Sequence, residues 1–577
     1  MKFSHIGSRF ASLLFTSIFL VSAISCGTEK LQDGVFSGIG EGRNGPIEVS
    51  VTVRDGKVAA AKIVRETETP EIGAPAQEAI ISQFIQDGKT DDIDVVSGAT
   101  LTSEGLLDAL DAALDASKGK TKKSIAFSDT SCDIVIIGAG GAGLTAATEA
   151  AHQNAKVIVL EKMGIVGGNT NYSTGGINAA YTKEQERLGI KDSKDIFFHD
   201  TMEGGKNIND PTLVQKLVDE SAGIVEWLQS PLIGADLSDV GMFGGATNKR
   251  IHRPQGGAAI GAHLVPLLFK AARAQGAEIR LNNTVTDIIE KDGRAVGVKV
   301  SSEGGNYVIN AKAVIIASGG FGANAKMIEK YQPSLKGFAT TNHRGATGDA
   351  FAMVEKFDAG LTQMEQIQTH PTVVVGTGIM ITESVRGNGA ILVNRTGRRF
   401  VDEMENRDVV SSAVLRGPGK TAFLVFDQSV RDSLKAIESY ANQGLLTEAA
   451  TIKELADKLR IQSDTLESTI TQYNSFVAAK KDADFGRNPA SMERALSKAP
   501  YYAIEIEPAV HHTMGGLTIN PSANVMTTDG LPIPGLFAAG EVTGGVHGAN
   551  RLGGNAVADI CVFGKIAADS AIRYIRD

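Results

Sequence analysis

The stretch Asp133-Ile-Val-Ile-Ile-Gly138-Ala-Gly140-Gly-Ala-Gly143, followed by an alanine-rich run, decides the fold. An apolar, β-branched run that leads through Gly-x-Gly-x-x-Gly into a helix is typical of a βαβ unit that binds a dinucleotide. Gly138 permits the tight turn, Gly140 lets the backbone approach a pyrophosphate, and Gly143 lets the helix pack on the strand. Because the helix N-terminus offers amide donors to the phosphates, the sequence predicts an α/β domain with a dinucleotide site.

An acidic residue closes the next predicted strand. The apolar run at 156–160 leads to Glu161, which lies 23 residues after Gly138. A carboxylate about 20 residues beyond the first glycine is expected to bind a ribose hydroxyl. Four further segments resemble two-dinucleotide-binding FAD proteins and favour FAD over NAD: 167–170 (Gly-Gly-Asn-Thr), 313–320, 347–349 (Thr-Gly-Asp) and 535–541, which ends in Glu541.

Composition excludes several classes of protein. The chain has 577 residues, 42% hydrophobic and 21% charged, which allows a large core and argues against disorder. Its net charge of -9 gives no reason to expect nucleic-acid binding, which usually requires a basic surface. The chain has 3 cysteines and no Cys-x-x-Cys-His motif, which excludes a disulfide framework and a covalently attached c-type haem. We predict no metal site.

The N-terminal residues predict export. An apolar run at 10–23 is too short for an ordinary spanning helix and follows Lys2 and Arg9. Residues 23–26 (Ala-Ile-Ser-Cys) resemble a bacterial lipoprotein signal, so that 1–26 would be the signal peptide and Cys26 the lipid anchor of a periplasmic or membrane-anchored protein. Two alternatives remain open, namely cleavage near Ser25 to give a soluble exported protein and an anchor that is never cleaved.

A small α+β unit is predicted at 33–117. Strands at 47–53 and 58–64 flank a turn at Asp55-Gly56, and helices follow near 74–86 and 103–116. A polar linker at 118–130 separates this unit from the large α/β domain.

Five motifs resemble the flavin subunit family of fumarate reductase and succinate dehydrogenase, and most closely its soluble flavocytochrome c type. They are Gln368-Thr-His370-Pro-Thr372, Met380-Ile-Thr382-Glu383-Ser-Val-Arg386-Gly-Asn-Gly389, Asn406-Arg407-Asp408, His511-His512-Thr-Met-Gly-Gly516, and residues 544–555 with Arg551. The resemblance implies a two-dinucleotide-binding FAD domain at 131–364 and 511–577, with a clamp, or capping, domain at 365–510 inserted in it. The substrate would then bind between the two domains.

The resemblance also implies which residues contact FAD and substrate. FAD would bind non-covalently through Gly138, Gly140, Ala142, Gly143, Glu161, Asn169, Thr170, Gly175, Gly176, Val285, Asp349, His512, Glu541, Ala556 and Val557. Substrate would contact His370, Met380, Thr382, Glu383, His511, Arg551 and Gly554. Arg551, assisted by His511, would form a bidentate grip on one carboxylate, and His370 with Thr382 would hold a second, which suits a dicarboxylate.

The catalytic acid implied by the family is Arg407, with Glu383 and Arg386 as its proton relay. A guanidinium is normally treated as never deprotonating, so this role requires a strongly basic carbanion beside it and fast reprotonation. The alternative for Glu383 and Arg386 is an ordinary ion pair three residues apart on a helix.

A second flavin is implied by Asp94-Val-Val-Ser-Gly-Ala-Thr100 together with Asp33-Gly-Val-Phe-Ser-Gly38. Residues 33–117 resemble the FMN-binding domain of sodium-pumping quinone reductase subunits, in which the matching threonine is esterified to FMN by a flavin transferase after export. The alternative is a plain turn with Thr100 or Ser103 as the helix N-cap. Because no haem motif is found, we expect FMN to relay electrons from an external cytochrome or quinol-linked donor.

The expected activity is an exported, flavin-dependent reduction of fumarate to succinate, with hydride from FAD N5 and a proton from Arg407. The main alternative is a related enoate reductase for urocanate, acrylate, methacrylate or cinnamate, although urocanate-type relatives replace part of the set His370, Thr382 and Glu383. An L-aspartate oxidase and an electron-carrier lipoprotein whose large domain only binds a ligand are further alternatives.

Overall fold

The computed structural model describes residues 31–42, 46–66, 70–90, 93–95, 100–119 and 127–577. The predicted signal peptide at 1–26, with Cys26, lies outside the described residues, and so do residues 96–99 of the Asp94–Thr100 motif. Within the described ranges, none of the helices is long and apolar enough to cross a bilayer.

The N-terminal unit is a three-stranded antiparallel sheet covered by two helices. It contains β1 (Gly34–Glu41), β2 (Pro46–Arg54), β3 (Lys57–Arg65), α1 (Pro70–Asp87) and α2 (Thr100–Ser117), in the strand order β1-β2-β3. The alternation predicted in β2 buries Val49 and Val51 in one cluster with Leu106 and Leu110 of α2. Both helices begin earlier than predicted. Strand β1 lies so close to α2 that a Cβ on Gly38 would be 2.0 Å from a carbonyl oxygen of the helix.

The large domain is built on a central, mostly parallel sheet. Its first part contains β4 (Thr130–Ile137), α3 (Gly141–His152), β5 (Val157–Leu160), β6 (Ile177–Asn178), α4 (Lys183–Arg187), α5 (Lys194–Gly204), α6 (Pro211–Gln229), β7 (Asp239–Gly241), β8 (Ile251–Arg253), α7 (Ile260–Ala274), β9 (Glu278–Arg280), β10 (Asn283–Lys291), β11 (Arg294–Ser302), β12 (Gly305–Ile316), α8 (Ala325–Tyr331), α9 (Asp349–Met353) and β13 (Leu361–Thr362). Strands run in the order β10-β11-β12-β4-β5-β9, and β4 is parallel to both β12 and β5. This arrangement confirms the predicted α/β fold.

A second sheet has its own hydrophobic core. The segment contains β14 (Ile367–Val374), α10 (Glu383–Gly387), β15 (Ile391–Val393), α11 (Arg407–Arg416), β16 (Ala422–Asp427), α12 (Gln428–Asp432), α13 (Lys435–Asn442), β17 (Thr447–Ala449), α14 (Ile452–Leu459), α15 (Ser463–Ala479) and β18 (Tyr501–Thr513). Its strands pair antiparallel in the order β14-β18-β16-β15, with β17 on β18. The buried cluster around β15 and β16 is separate from the cluster of the central sheet.

The chain then returns to the central sheet. The remaining elements are β19 (Gly516–Leu517), β20 (Asn524–Met526), β21 (Pro532–Ala538) and α16 (Asn555–Arg576). Strand β21 is parallel to β12, so β4, β12 and β21 end on the same edge of the sheet. Residues at the start of α3 line one cavity, and residues at the start of α16 line a second, larger one.

Candidate active site

The turn between β4 and α3 is shaped to hold a phosphate group. Gly138 has a φ of 102°, which favours glycine, and a Cβ on Gly143 would lie 1.9 Å from the Gly138 carbonyl oxygen. In contrast, a Cβ on Gly140 would have only the Gly167 carbonyl oxygen, at 3.8 Å, near it. Two glycines are therefore needed for packing, and Gly140 leaves open space in front of the helix N-terminus, as a pyrophosphate requires.

A cavity of about 110 Å³ continues from this turn. Glu161 reaches it, and its carboxylate accepts hydrogen bonds from the backbone N–H groups of Ala139 and Met163, both at 2.9 Å. Asp349 lines the same cavity and pairs with Lys162 at 2.6 Å. The predicted cofactor residues in this lining are Gly138, Gly140, Ala142, Glu161, Asn169, Thr170, Val285, Asp349 and Glu541.

A larger cavity of about 740 Å³ lies next to it and shares Asn169, Thr170 and Glu541 with it. Glu541 accepts hydrogen bonds from the Thr513 N–H at 3.1 Å and from Asn169 Nδ2 at 3.2 Å, and burial raises its pKa. Of the predicted cofactor residues, the large cavity is also lined by Gly175, Gly176, His512, Ala556 and Val557. Two adjoining cavities that begin at a phosphate-shaped turn fit FAD, with its adenosine half in the smaller cavity and its flavin half in the larger.

The large cavity also brings together every residue predicted to contact substrate: His370, Met380, Thr382, Glu383, His511, Arg551 and Gly554. The pairing of β14 with β18 explains why His370 and His511 meet although 141 positions separate them in the sequence. Their ring centroids are 5.2 Å apart. We call the surface formed by His370, Thr382, Arg407, His511 and Arg551 the substrate end.

His370 is fully buried and presents a hydrogen-bond donor to the cavity. Its Nδ1 accepts the backbone N–H of Thr372 at 3.3 Å, so the proton of the neutral ring is on Nε2, which has no hydrogen-bond partner among the described residues. Burial, and then the neighbouring arginines beginning with Arg407, hold the pKa of His370 well below its ordinary value. The ring is therefore neutral and can donate through Nε2 to a carboxylate.

Arg407, Glu383 and Arg386 form one buried chain. Arg407 donates from Nε to a carboxylate oxygen of Glu383 and from Nη1 to Gln368 Oε1 at 3.1 Å. Arg386 Nη2 lies 3.6 Å from the same Glu383 oxygen. Burial raises the pKa of Glu383, but Arg407 and then Arg386 outweigh this effect and keep it below its ordinary value. Glu383 is therefore an anion that touches both guanidinium groups.

Arg551 is buried and only partly paired. Its Nη1 donates to the Leu552 carbonyl oxygen at 3.1 Å, while its Nε has no hydrogen-bond partner in the part of the chain that the structure describes. Burial, and then the repulsion from Arg407, lower its pKa to about 9, so it is still charged at neutral pH. Arg551 can therefore bind an anion that enters the cavity.

The charges at the substrate end do not balance. Three guanidinium groups, those of Arg386, Arg407 and Arg551, surround the carboxylate of Glu383, and Glu541, which lines the same cavity, also attracts Arg551, so positive charge is in excess. The neighbouring carboxylate of Glu403 does not compensate for this charge, because it belongs to a balanced cluster formed by Arg399, Glu403, Asp482 and Arg487.

Three residues that position the site have no role in the sequence prediction. Gln368 donates from Nε2 to the Arg551 carbonyl oxygen at 2.8 Å while it accepts from Arg407, so it links the two arginines. The Tyr440 hydroxyl accepts the backbone N–H of Thr382 at 3.0 Å. Asn178 donates to the Gly553 carbonyl oxygen at 2.7 Å, beside the N-terminus of α16. Gln368 lies within a quoted motif, but Tyr440 and Asn178 carry no signal in the sequence.

The N-terminal unit reaches the same cavity. Thr102 and Glu104 of α2 are among its lining residues. Thr100, the predicted FMN attachment residue, is the first residue of α2. Among the described residues, no group of three or more His, Cys, Asp or Glu side chains could hold a metal ion.

Comparisons with known proteins agree with this architecture. The FAD binding domain family matches residues 133–557, and the FMN-binding domain family matches residues 42–115. The chain is 47% identical over 462 residues to the fumarate reductase (cytochrome) of Shewanella frigidimarina, which covers 79% of this chain and 80% of that protein. It is 38% identical over 566 residues to the NADH:fumarate oxidoreductase of Klebsiella pneumoniae (strain 342), which covers 96% of this chain and 60% of that protein.

A solved structure of a fumarate reductase is also similar to this chain. The open conformation of a flavocytochrome c3 fumarate reductase matches with a TM-score of 0.68 and 40% identity, over 85% of this chain and 86% of that one. The chain therefore belongs to the flavin-dependent fumarate reductase family of oxidoreductases and carries an FMN-binding domain ahead of its FAD-binding domain.

Proposed function

We propose that this protein reduces fumarate to succinate. The observation that carries the proposal is the excess of positive charge on buried groups around a cavity that also offers neutral donors. A buried, unbalanced charge is costly unless a ligand compensates for it. A dicarboxylate supplies negative charge that offsets this excess.

The donors can be divided into two grips. Arg551, with His511 beside it, would bind one carboxylate as a charge-assisted pair. His370 Nε2 and the Thr382 hydroxyl would hold the other carboxylate. Withdrawal of electron density by both grips makes the alkene carbon a better hydride acceptor.

FAD held in the two adjoining cavities would supply the hydride, and FMN esterified to Thr100 by a flavin transferase would pass on electrons from an external donor. Arg407 would deliver the proton. Two of its five N–H groups are held by Glu383 and Gln368, which fixes the plane of the guanidinium and leaves the other N–H groups for the cavity. Glu383 and Arg386 would return the proton to Arg407. We also propose that the protein acts outside the cytoplasm, through the signal and lipid anchor predicted at residues 1–26.

The test is anaerobic oxidation of reduced methyl viologen with fumarate, acrylate, methacrylate, urocanate and cinnamate. Arg407→Ala should abolish turnover. His370→Asn should lower kcat/KM for fumarate by about 10- to 100-fold, the effect of one hydrogen bond to a charged group, and should change kcat/KM for acrylate far less.

His152→Asn is the matched control, because His152 is exposed on α3. Turnover on a monocarboxylate or on urocanate, without turnover on fumarate, would contradict the dicarboxylate assignment and favour a related enoate reductase.

A further inference from the structure

The large cavity has a wall that the substrate grips do not use. Ala262, Pro266 and Phe269 of α7 line it, and their spacing of four and three residues places them on one face of that helix. Ala262 and Pro266 are exposed to the cavity, and Ile165 and Val166 extend the same apolar surface. Apolar side chains of this kind suit a flat aromatic ring rather than a small dianion.

The N-terminal unit contacts the cavity close to its predicted attachment residue. Thr102 is buried and lines the cavity, and Thr100 lies two residues before it, about 3 Å along the helix axis. The backbone of Thr100 therefore lies within one helical turn of a residue that lines the cavity.

Two further contacts fix the N-terminal unit in this place. Glu41, at the end of β1, forms an ion pair with Arg344 of the large domain. On the other side, Ala76 of α1 is buried against Ile379, with Leu445 packed beside them. The unit thus touches both the FAD-binding domain and the segment next to Met380.

We propose that the apolar wall formed by Ile165, Val166, Ala262, Pro266 and Phe269 is the binding site of the FMN ring carried by Thr100, so that one cavity holds both flavins and the substrate. The inference rests on the proposed attachment of FMN at Thr100. It goes beyond that attachment because it assigns a docked position to the ring and a role to the contacts of Glu41 and Ala76.

The test is quenching of flavin fluorescence by iodide in the holoenzyme, after mass spectrometry has established that FMN is attached. Thr100→Ala, which carries FAD alone, supplies the baseline for subtraction. The FMN of the wild-type protein should be poorly accessible. Glu41→Arg should raise its quenching constant several-fold by repelling Arg344, and the double variant Glu41→Arg/Arg344→Glu should restore protection.

Two more variants sharpen this test. Glu78→Arg makes the same charge change at an exposed position of α1 and should leave FMN protected. Ala262→Arg places a long side chain on the apolar wall and should expose FMN while the FAD content is unchanged. An FMN that is equally accessible in the wild-type protein and in Glu41→Arg would overturn the proposal.

Turnover on fumarate is measured on the same preparations. A protected FMN without turnover would support the binding site and contradict the proposed reaction. Turnover with an exposed FMN would support the reaction and overturn the binding site.

Discussion

Replacement of Arg551 by methionine should stabilise the substrate-free protein. The ordinary pKa of arginine lies above 12, and burial lowers that of Arg551 to about 9. The two pKa values differ by more than three, and a difference of one in pKa corresponds to about 1.36 kcal/mol. The folded state therefore disfavours the charged form of Arg551 by about 4 kcal/mol. Methionine loses one hydrogen bond, to the Leu552 carbonyl oxygen, which costs about 1 kcal/mol. We therefore expect a gain of about 3 kcal/mol in the free energy of unfolding.

The sign of the effect can be checked by pH. Because the folded pKa of Arg551 lies below its unfolded value, the unfolded state binds more protons above about pH 9, and the stability of the wild-type protein should rise there. Arg551→Met should lack this rise.

The assay is urea unfolding of the FAD-saturated protein with and without fumarate. Fumarate at about 100 times its Kd should stabilise the wild-type protein by about 2.7 kcal/mol and should leave Arg551→Met unaffected. Arg250→Met is the matched control, because Arg250 is equally buried but paired with Asp192 at 3.0 Å and Asp200 at 2.8 Å. Its loss should destabilise the protein by about 3–5 kcal/mol. If Arg551→Met is destabilised as much as Arg250→Met without ligand, the reasoning from unbalanced charge is wrong.

Three further outcomes are expected. Gly143→Ala should abolish FAD binding, measured as flavin content after purification, because its Cβ would lie 1.9 Å from the Gly138 carbonyl oxygen. Tyr440→Phe should raise KM for fumarate about tenfold with a smaller change in kcat, since it leaves the Thr382 N–H buried without an acceptor; an unchanged KM would count against this positioning role. The pKa of Glu383 is lower in the folded state than in the unfolded state, so its charged form stabilises the fold at neutral pH. Glu383→Gln should therefore lower the free energy of unfolding at neutral pH. The wild-type protein should lose this stability as pH falls through the folded pKa of Glu383, and the variant should lose less.

The local sequence predicts the phosphate turn well, because each glycine there is needed for the local backbone conformation or for close packing. Gly138 needs a positive φ and Gly143 a close approach, and both needs are visible in the spacing alone. The alternation in β2 is equally local, and its inward side chains are the ones expected. The boundaries of α1 and α2 were less predictable, because helix ends depend on the residues that pack around them.

The substrate end could be predicted only through motifs, since its members are far apart in the chain. His370 and His511 become neighbours through the register of β14 with β18, which no short pattern encodes. Tyr440 reaches Thr382 from α13, and a lone tyrosine on a short helix looks like an ordinary core residue. The motifs thus indicated which residues meet at the substrate end, but not which residues hold them in position.

The placement of Arg407 and Arg551 on two different hydrophobic cores indicates how the site selects its substrate. Thr382 and Arg407 stand at the starts of α10 and α11, which pack in the core of the second sheet. Arg551 precedes α16, which packs in the core of the central sheet. A dicarboxylate can bind to residues of both cores at once and neutralise the repulsion between Arg407 and Arg551, whereas a monocarboxylate can bind to residues of one core only. Selectivity for a dicarboxylate would then come from linking the two cores as well as from filling the cavity.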